Sequence, residues 1–251
     1  MNARLAFGAA LAAFLPVPVA CGRRAPESLR VAAAASLREL VAETGAAFAQ
    51  RPGGLPVTAS FDASSTLARQ IEAGAAFDVL LSADRDTVAR IRGHLVAGSE
   101  GTFLRNGLVV IGAPGLTDAP QTAADLTRLR GKLALAGPAV PAGKYARAWL
   151  QARGLLGELE GRIVSADNVR AAVALVESGV ADAAVVYATD ARICKRARLL
   201  FPIPADEDPG VEYVAAAVRG GNEVAAASYL RWLASAEFLE AAQRLGFLPP
   251  E

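Results

Sequence analysis

Alternation of short apolar runs with amphipathic helical stretches constrains this chain more than any other feature. From Leu29 onward, β-like segments at Leu29 to Ala33, Leu55 to Phe61, Asp78 to Ser82, Leu108 to Ala113, Lys132 to Leu135, Ala183 to Tyr187 and Glu212 to Val218 stand out. Helical patterns at Ser36 to Gln50, Ser65 to Ala73, from Asp84, Tyr145 to Arg153, Asn168 to Glu177 and Asn222 to Leu245 separate or follow them. Parallel strands need crossover connections, so this order predicts an α/β fold of mostly parallel sheets with helices on both faces. Leu108 to Ile111 opens a second series and Glu212 to Val218 leads back to the first. Two lobes joined by crossing segments are therefore expected, 29–107 plus 211–251 in lobe 1 and 108–210 in lobe 2. A length of 251 residues gives each lobe an ordinary domain's core without staples.

Composition removes several functions. Lys and Arg number 26 against 25 Asp and Glu, for a formal charge of +1, and no clustered basic surplus marks a nucleic-acid or anionic-lipid surface. One histidine, His94, and two distant cysteines, Cys21 and Cys194, cannot assemble a His/Cys zinc cluster or a His-ligated metal centre. Cys194, between Ile193 and the cationic Lys195 and Arg196, reads as a small, partly buried hydrophobe with no imidazole near it in sequence. No phosphate-loop sequence of the G-x-x-x-x-G-K-[ST] type occurs, so the chain brings no ATPase of its own.

Residues 1–21, MNARLAFGAALAAFLPVPVAC, carry an early arginine and an apolar stretch from Leu5 to Ala20 broken by Pro16 and Pro18. That stretch falls short of the roughly 20 residues a helix needs to span a bilayer and reads as a secretory signal, with 22–28 as a linker. Cys21 after Val19-Ala20 resembles a lipoprotein cleavage site, although Pro18 stands where such sites usually carry leucine. Lipidation of Cys21 and ordinary cleavage to a soluble product both stay open.

Open α/β sheets bind ligands beyond the carboxyl ends of their strands, where helix starts aim free amides and positive dipole ends. Five strand-to-helix turns carry small residues and hydroxyls there: Ala33 to Glu39, Phe61 to Gln70, Gly137 to Tyr145, Ser165 to Arg170 and Val185 to Asp190. Ser36 and Glu39 have the spacing of a capping box. Ser64 and Ser65 open a helix, and Pro141 suits a first helical turn that leaves the Ala142 and Gly143 amides free. Any one such cap is ordinary helix chemistry. Together they offer neutral donors without His, Cys or paired carboxylates, a lining suited to a desolvated, unprotonated anion.

The segments A-A-A-S-L (Ala33 to Leu37), S-S-T-L-A-R-Q-I-E-A-G (Ser64 to Gly74), D-V-L-L-S-A-D (Asp78 to Asp84), V-P-A-G-K-Y-A (Val140 to Ala146), N-V-R-A-A-V-A-L-V-E (Asn168 to Glu177) and V-V-Y-A-T-D (Val185 to Asp190) closely resemble the periplasmic molybdate-binding proteins of ABC transporters. The resemblance spans about Leu29 to Phe247. It implies a type II periplasmic-binding-protein fold, with one tetrahedral oxyanion, molybdate or tungstate, held between the lobes. It implies contacts from Ser36 and Ser64 on one side and Ala142, Val169 and Tyr187 on the other, Ala142 and Val169 through backbone amides. Molybdenum enters only as the oxyanion, and no cofactor is implied. The implied partners are a membrane permease and its ATPase, the place is the periplasm, and the chain is a monomer without turnover.

Asp62, Ala63 and Phe77 depart from that family's pattern. A carboxylate at Asp62 facing the cleft would repel an anion, so it is expected to point away or cap the next turn. Arg69 and Arg170 are expected in solvent or interdomain salt bridges rather than on the ligand. Other readings are a binder of sulfate, phosphate or an iron complex on the same fold, an exported hydrolase using Ser36 or Ser64, and a regulator's effector domain. The hydrolase lacks a G-x-S-x-G elbow and has only His94, in an apparent surface turn, as base. The regulator lacks a basic helix-turn-helix region and does not fit an export signal.

Overall fold

The computed structural model describes residues 28–251; the expected signal sequence of 1–21, with Cys21, and most of the expected linker lie outside the described residues. The chain begins with β1 (Leu29–Ala34), α1 (Arg38–Ala49), β2 (Val57–Asp62), α2 (Ser64–Glu72), β3 (Val79–Ser82), α3 (Arg85–Arg90) and β4 (Gly101–Asn106). A second series follows with β5 (Leu108–Gly112), β6 (Leu133–Ala136), α4 (Pro141–Ala152), α5 (Leu156–Leu159), β7 (Ile163–Ala166), α6 (Val169–Glu177), β8 (Ala183–Tyr187), α7 (Ala188–Ile193) and β9 (Arg198–Pro202). The chain then returns through β10 (Val211–Ala217), α8 (Glu223–Leu233) and α9 (Ala236–Arg244).

Two five-stranded sheets result, ordered β2-β1-β3-β10-β4 and β7-β6-β8-β5-β9. In the first, β2, β1 and β3 are mutually parallel, and β10 runs antiparallel to both β3 and β4. The second repeats this arrangement, with β7, β6 and β8 parallel and β5 antiparallel to β8 and β9. Each sheet thus has one reversed strand, and that strand is the one entered from the other sheet. The sheets are mostly parallel, as expected, each made mixed by its one reversed strand.

Period-two alternation sorts the first sheet's side chains onto two faces. Val31, Ala33, Val79 and Leu81 pack with Leu40, Phe48, Tyr229, Trp232 and Phe238 of α1, α8 and α9. Ala32, Leu80, Val214 and Ala216 pack instead with Leu67, Ile71 and Val88 of α2 and α3 and with Ile91 just after α3. Phe77 rests against this second cluster, which absorbs its bulk away from the site.

Three strands, β4, β7 and β9, were not anticipated from sequence, and all three are sheet edges. An edge strand is half solvated, so its apolar run is short or interrupted, as in the mostly exposed RLLFP of β9. The single last helix is two. Ser235 caps the second, its hydroxyl accepting from the Phe238 amide at 3.3 Å, which breaks the helical ladder between Leu233 and Ala236.

Candidate functional site

The five sequence-expected residues come together. Ser36, Ser64, Ala142, Val169 and Tyr187 line one narrow gap, with Ala35, Asp62, Asn168 and a few small residues beside them. Its cavity volume is about 10 Å³, about what one water needs, so the lining residues stand close together across it. All five stand at the carboxyl ends of parallel strands: Ser36 after β1, Ser64 after β2, Ala142 after β6, Val169 after β7 and Tyr187 at the end of β8.

Local chemistry explains each placement. Ser64 is the first residue of α2, and its Oγ accepts from the Ala83 amide at 2.9 Å, leaving the hydroxyl proton uncommitted. Ala142 is the second residue of α4 behind Pro141, and a first-turn amide has no acceptor within its own helix. Gly143 is required by contact: a Cβ there would stand 2.2 Å from the carbonyl oxygens of Ala136 and Gly137. Val169 opens α6 behind Asn168, whose side-chain oxygen accepts from the Arg170 and Ala171 amides at 3.0 and 3.1 Å, so the Val169 amide stays available. The starts of α2, α4 and α6 converge on one gap, which concentrates donors and positive dipole ends there.

Ser36 departs from the expected capping box. It sits in a 3-10 turn, Ala35–Leu37, and makes no side-chain cap; its Oγ instead lies 2.8 Å from the Tyr213 hydroxyl. Glu39, the expected box partner, pairs with Arg170. The phenol of Tyr187 is fully buried and its oxygen has no hydrogen-bond partner among the described residues. Burial, the largest influence, raises its pKa far above the ordinary tyrosine range, so it stays a neutral donor.

The residues set apart as doubtful resolve as structural. Asp62 directs Oδ1 at its neighbour Ala63, accepting from that amide at 2.7 Å, and at Asn168 Nδ2 at 3.3 Å across the gap. Arg170 joins the two sheets, donating Nη1 to Glu39 at 3.0 Å and lying with Nε 2.6 Å from Asp190. Lys144 makes a second bridge, Nζ to Asp84 at 3.1 Å and to Asp86 at 3.2 Å. Burial opposes the Lys144 charge, but the two carboxylates outweigh it and hold its pKa above the ordinary value. Arg69 is exposed and bonds Thr66 at 3.1 Å, and His94 is exposed in a 3-10 turn outside the gap. Cys194 is half-buried, and desolvation pushes its thiol up to about 11, so it is not a thiolate nucleophile. Among the described residues no group of His, Cys, Asp and Glu could hold a metal ion.

Sequence reasoning missed Tyr213, Asn106 and Asp190, which stand behind the gap. Asp190 and Thr189 fall in the last quoted turn, but β10 carries no motif around Tyr213. Burial pushes the Asp190 carboxyl up to about 6, with the Arg170 charge pulling the other way. The unfolded carboxyl titrates near 3.9, so the folded chain keeps this proton to higher pH. The stability it contributes is complete below about pH 4 and is lost as pH rises through about 6, a difference of about 3 kcal/mol. Asp190→Asn is expected to flatten that part of the profile, read by urea unfolding of both chains between pH 4 and 7. Profiles that stay parallel would assign the slope to another group.

Comparison with known proteins adds the family. A model of bacterial extracellular solute-binding proteins matches residues 29–248. The molybdate-binding protein ModA of Escherichia coli is 34% identical over 227 residues, 87% of this chain and 88% of that one. The ModA of Haemophilus influenzae is 30% identical over 218 residues, 84% of this chain and 86% of that one. Among solved structures, the periplasmic molybdate-binding protein of Azotobacter vinelandii shares the two-lobed fold with a TM-score of 0.76 at 24% identity, covering 89% of this chain and 100% of that one. With both sheets, their crossing segments and the gap inside the matched span, this chain belongs to the bacterial extracellular solute-binding proteins.

Proposed function

We propose that this chain captures molybdate, and tungstate with it, outside the cytoplasm and delivers the oxyanion to the permease and ATPase of an ABC transporter. The observation that carries this reading is the lining of the gap. It presents the uncommitted Ser64 proton, the unpartnered Tyr187 hydroxyl and the starts of three helices, while Asp62, the carboxylate on its wall, is engaged by Ala63 and Asn168. Such donors stabilise a desolvated dianion by about 1.5–3 kcal/mol each and offer little to a ligand that must donate a proton. Ser36, Ser64 and Tyr187 supply hydroxyls in this reading, and Ala142 and Val169 supply amides.

Residues 29–107 with 211–251 form one lobe and 108–210 the other, and the bridges from Lys144 and Arg170 belong to the closed state that the ligand selects. Residues 1–21 direct export to the periplasm, where the chain works as a monomer, either free or held by a lipid on Cys21. No helix among the described residues is long and apolar enough to cross a membrane. Capture needs no turnover: Ser36 and Ser64 have Tyr213 and Ala83 as partners, and the one histidine is outside the gap.

Thermal unfolding with molybdate, tungstate, sulfate, phosphate and no addition tests this. An anion at 100 times its dissociation constant stabilises by about 2.7 kcal/mol, a shift of roughly 5–11 °C for a chain of this size. Shifts with molybdate and tungstate are expected. A shift confined to sulfate or phosphate would overturn the ligand and keep the fold, and no shift with any of them would overturn oxyanion capture.

A further inference from the structure

We infer that Tyr213, on the strand that returns to the first sheet, is a specificity-determining positioning residue that fixes Ser36 as a hydrogen-bond donor toward the oxyanion. The inference rests on the proposed oxyanion site. Its basis is a chain of four side chains, Thr189, Asn106, Tyr213 and Ser36, whose hydrogen-bond directions follow from one backbone amide.

Asn106 ends β4, where the chain first crosses between the sheets, and its Oδ1 accepts from the Gly107 amide at 3.0 Å. That contact assigns the two ends of the carboxamide, since only the oxygen can accept. Nδ2 is thereby the donor, to Thr189 Oγ1 at 2.9 Å and to the Tyr213 hydroxyl oxygen at 3.3 Å. With Asn106 donating to it, Tyr213 has its own proton left for Ser36 Oγ, 2.8 Å away. Ser36 then accepts from Tyr213 and can satisfy its own proton only elsewhere, and the gap that Ser36 lines is where that proton finds an anion.

Burial keeps this order fixed. Tyr213, Asn106, Ser36 and Thr189 are all buried, and desolvation raises the Tyr213 pKa far above its ordinary value, so the phenol keeps the proton it donates. Phe103, Tyr187 and Phe247 pack around the ring, with centroids at 6.4, 5.8 and 5.5 Å, and hold the hydroxyl in line. Ser64 reaches the same state through the Ala83 amide. The two serines are therefore donors by construction, one through backbone and one through Tyr213. An anion that carries a proton, such as hydrogen phosphate, meets both serines proton-first, with one lone pair of each oxygen already taken.

A double-mutant cycle tests this on the mature chain by calorimetry, with molybdate as ligand and hydrogen phosphate as competitor. Tyr213→Phe keeps the ring and removes the donor. It is expected to weaken molybdate about tenfold, to weaken hydrogen phosphate less, and to have no further effect on molybdate in a Ser36→Ala background. Unchanged molybdate affinity in Tyr213→Phe, or an equal loss with and without Ser36, would overturn the inference; the latter is what a purely structural role gives. If ligand-free unfolding shows that Tyr213→Phe does not fold, Asn106→Asp replaces it, since an acceptor at Nδ2 draws the Tyr213 proton away from Ser36. The same Ser36-dependent loss is expected, and a loss independent of Ser36 would overturn the inference. If the unmodified chain binds sulfate or phosphate in place of molybdate, the ligand reading fails, and the cycle is run with the anion that binds. If it binds no oxyanion, both fail.

Discussion

Replacing Ser36 and Ser64 together with alanine is expected to weaken molybdate binding by at least a hundredfold. Each hydroxyl already has a donor on its oxygen, Tyr213 for Ser36 and the Ala83 amide for Ser64, so each has one proton to give to the ligand. A hydrogen bond to a charged group contributes about 1.5–3 kcal/mol, so the pair is worth about 3–6 kcal/mol, or roughly a hundredfold to ten-thousandfold in affinity. Ser64→Ala also orphans the Ala83 amide, which lowers stability by about 1–3 kcal/mol. Binding is therefore read by calorimetry at a temperature where ligand-free unfolding shows the variant folded. Affinity equal to that of the unmodified chain would remove both serines from the site.

The second large effect is expected at Gly143. Its Cβ position lies 2.2 Å from the carbonyl oxygens of Ala136 and Gly137, backbone atoms that cannot swing aside as a side-chain tip can. Gly143→Ala must move the start of α4, and with it the Ala142 amide, away from the end of β6. Overpacking of this kind costs about 3 kcal/mol or more, and a donor shifted off its line is expected to weaken the ligand at least tenfold. Gly157→Ala, in α5 with nothing within 4 Å of the new Cβ, is the control and is expected to leave binding unchanged and to raise stability by no more than about 1 kcal/mol. Equal behaviour of the two variants in thermal unfolding and calorimetry would show that α4 does not depend on this close approach.

Much of this was legible in the sequence where local chemistry decides. Pro141 at the first turn of α4 and Asn168 at the cap of α6 act through their own neighbours, and the alternation of buried runs with amphipathic helices marks the inner strands. The candidate contacts fall in such turns, so five residues far apart in sequence line one gap. What depends on distant partners was not legible. The Ser36 spacing to Glu39 fits a capping box, yet Tyr213, 177 residues away, takes the hydroxyl, and Arg170, 131 residues away, takes Glu39. The pairing of β10 against β3 and β4 reverses one strand through contacts that no local pattern records. Edge strands such as β7 bury too little to stand out from loops.

The reversed strands also govern the order in which the chain can fold. β10 stands between β3 and β4, so the first sheet is divided until residues 211–217 arrive, after the whole second series has been made. The second sheet does not wait: its five strands, β5 to β9, all come from the continuous stretch between Leu108 and Pro202. The first sheet alone depends on a strand made last. The ladders that β10 completes are high in contact order, the one with β3 closing a loop of more than half the chain, and they form late. In a chain of this design the second sheet can form while the first is still open, and the first is completed only when β10 inserts between β3 and β4.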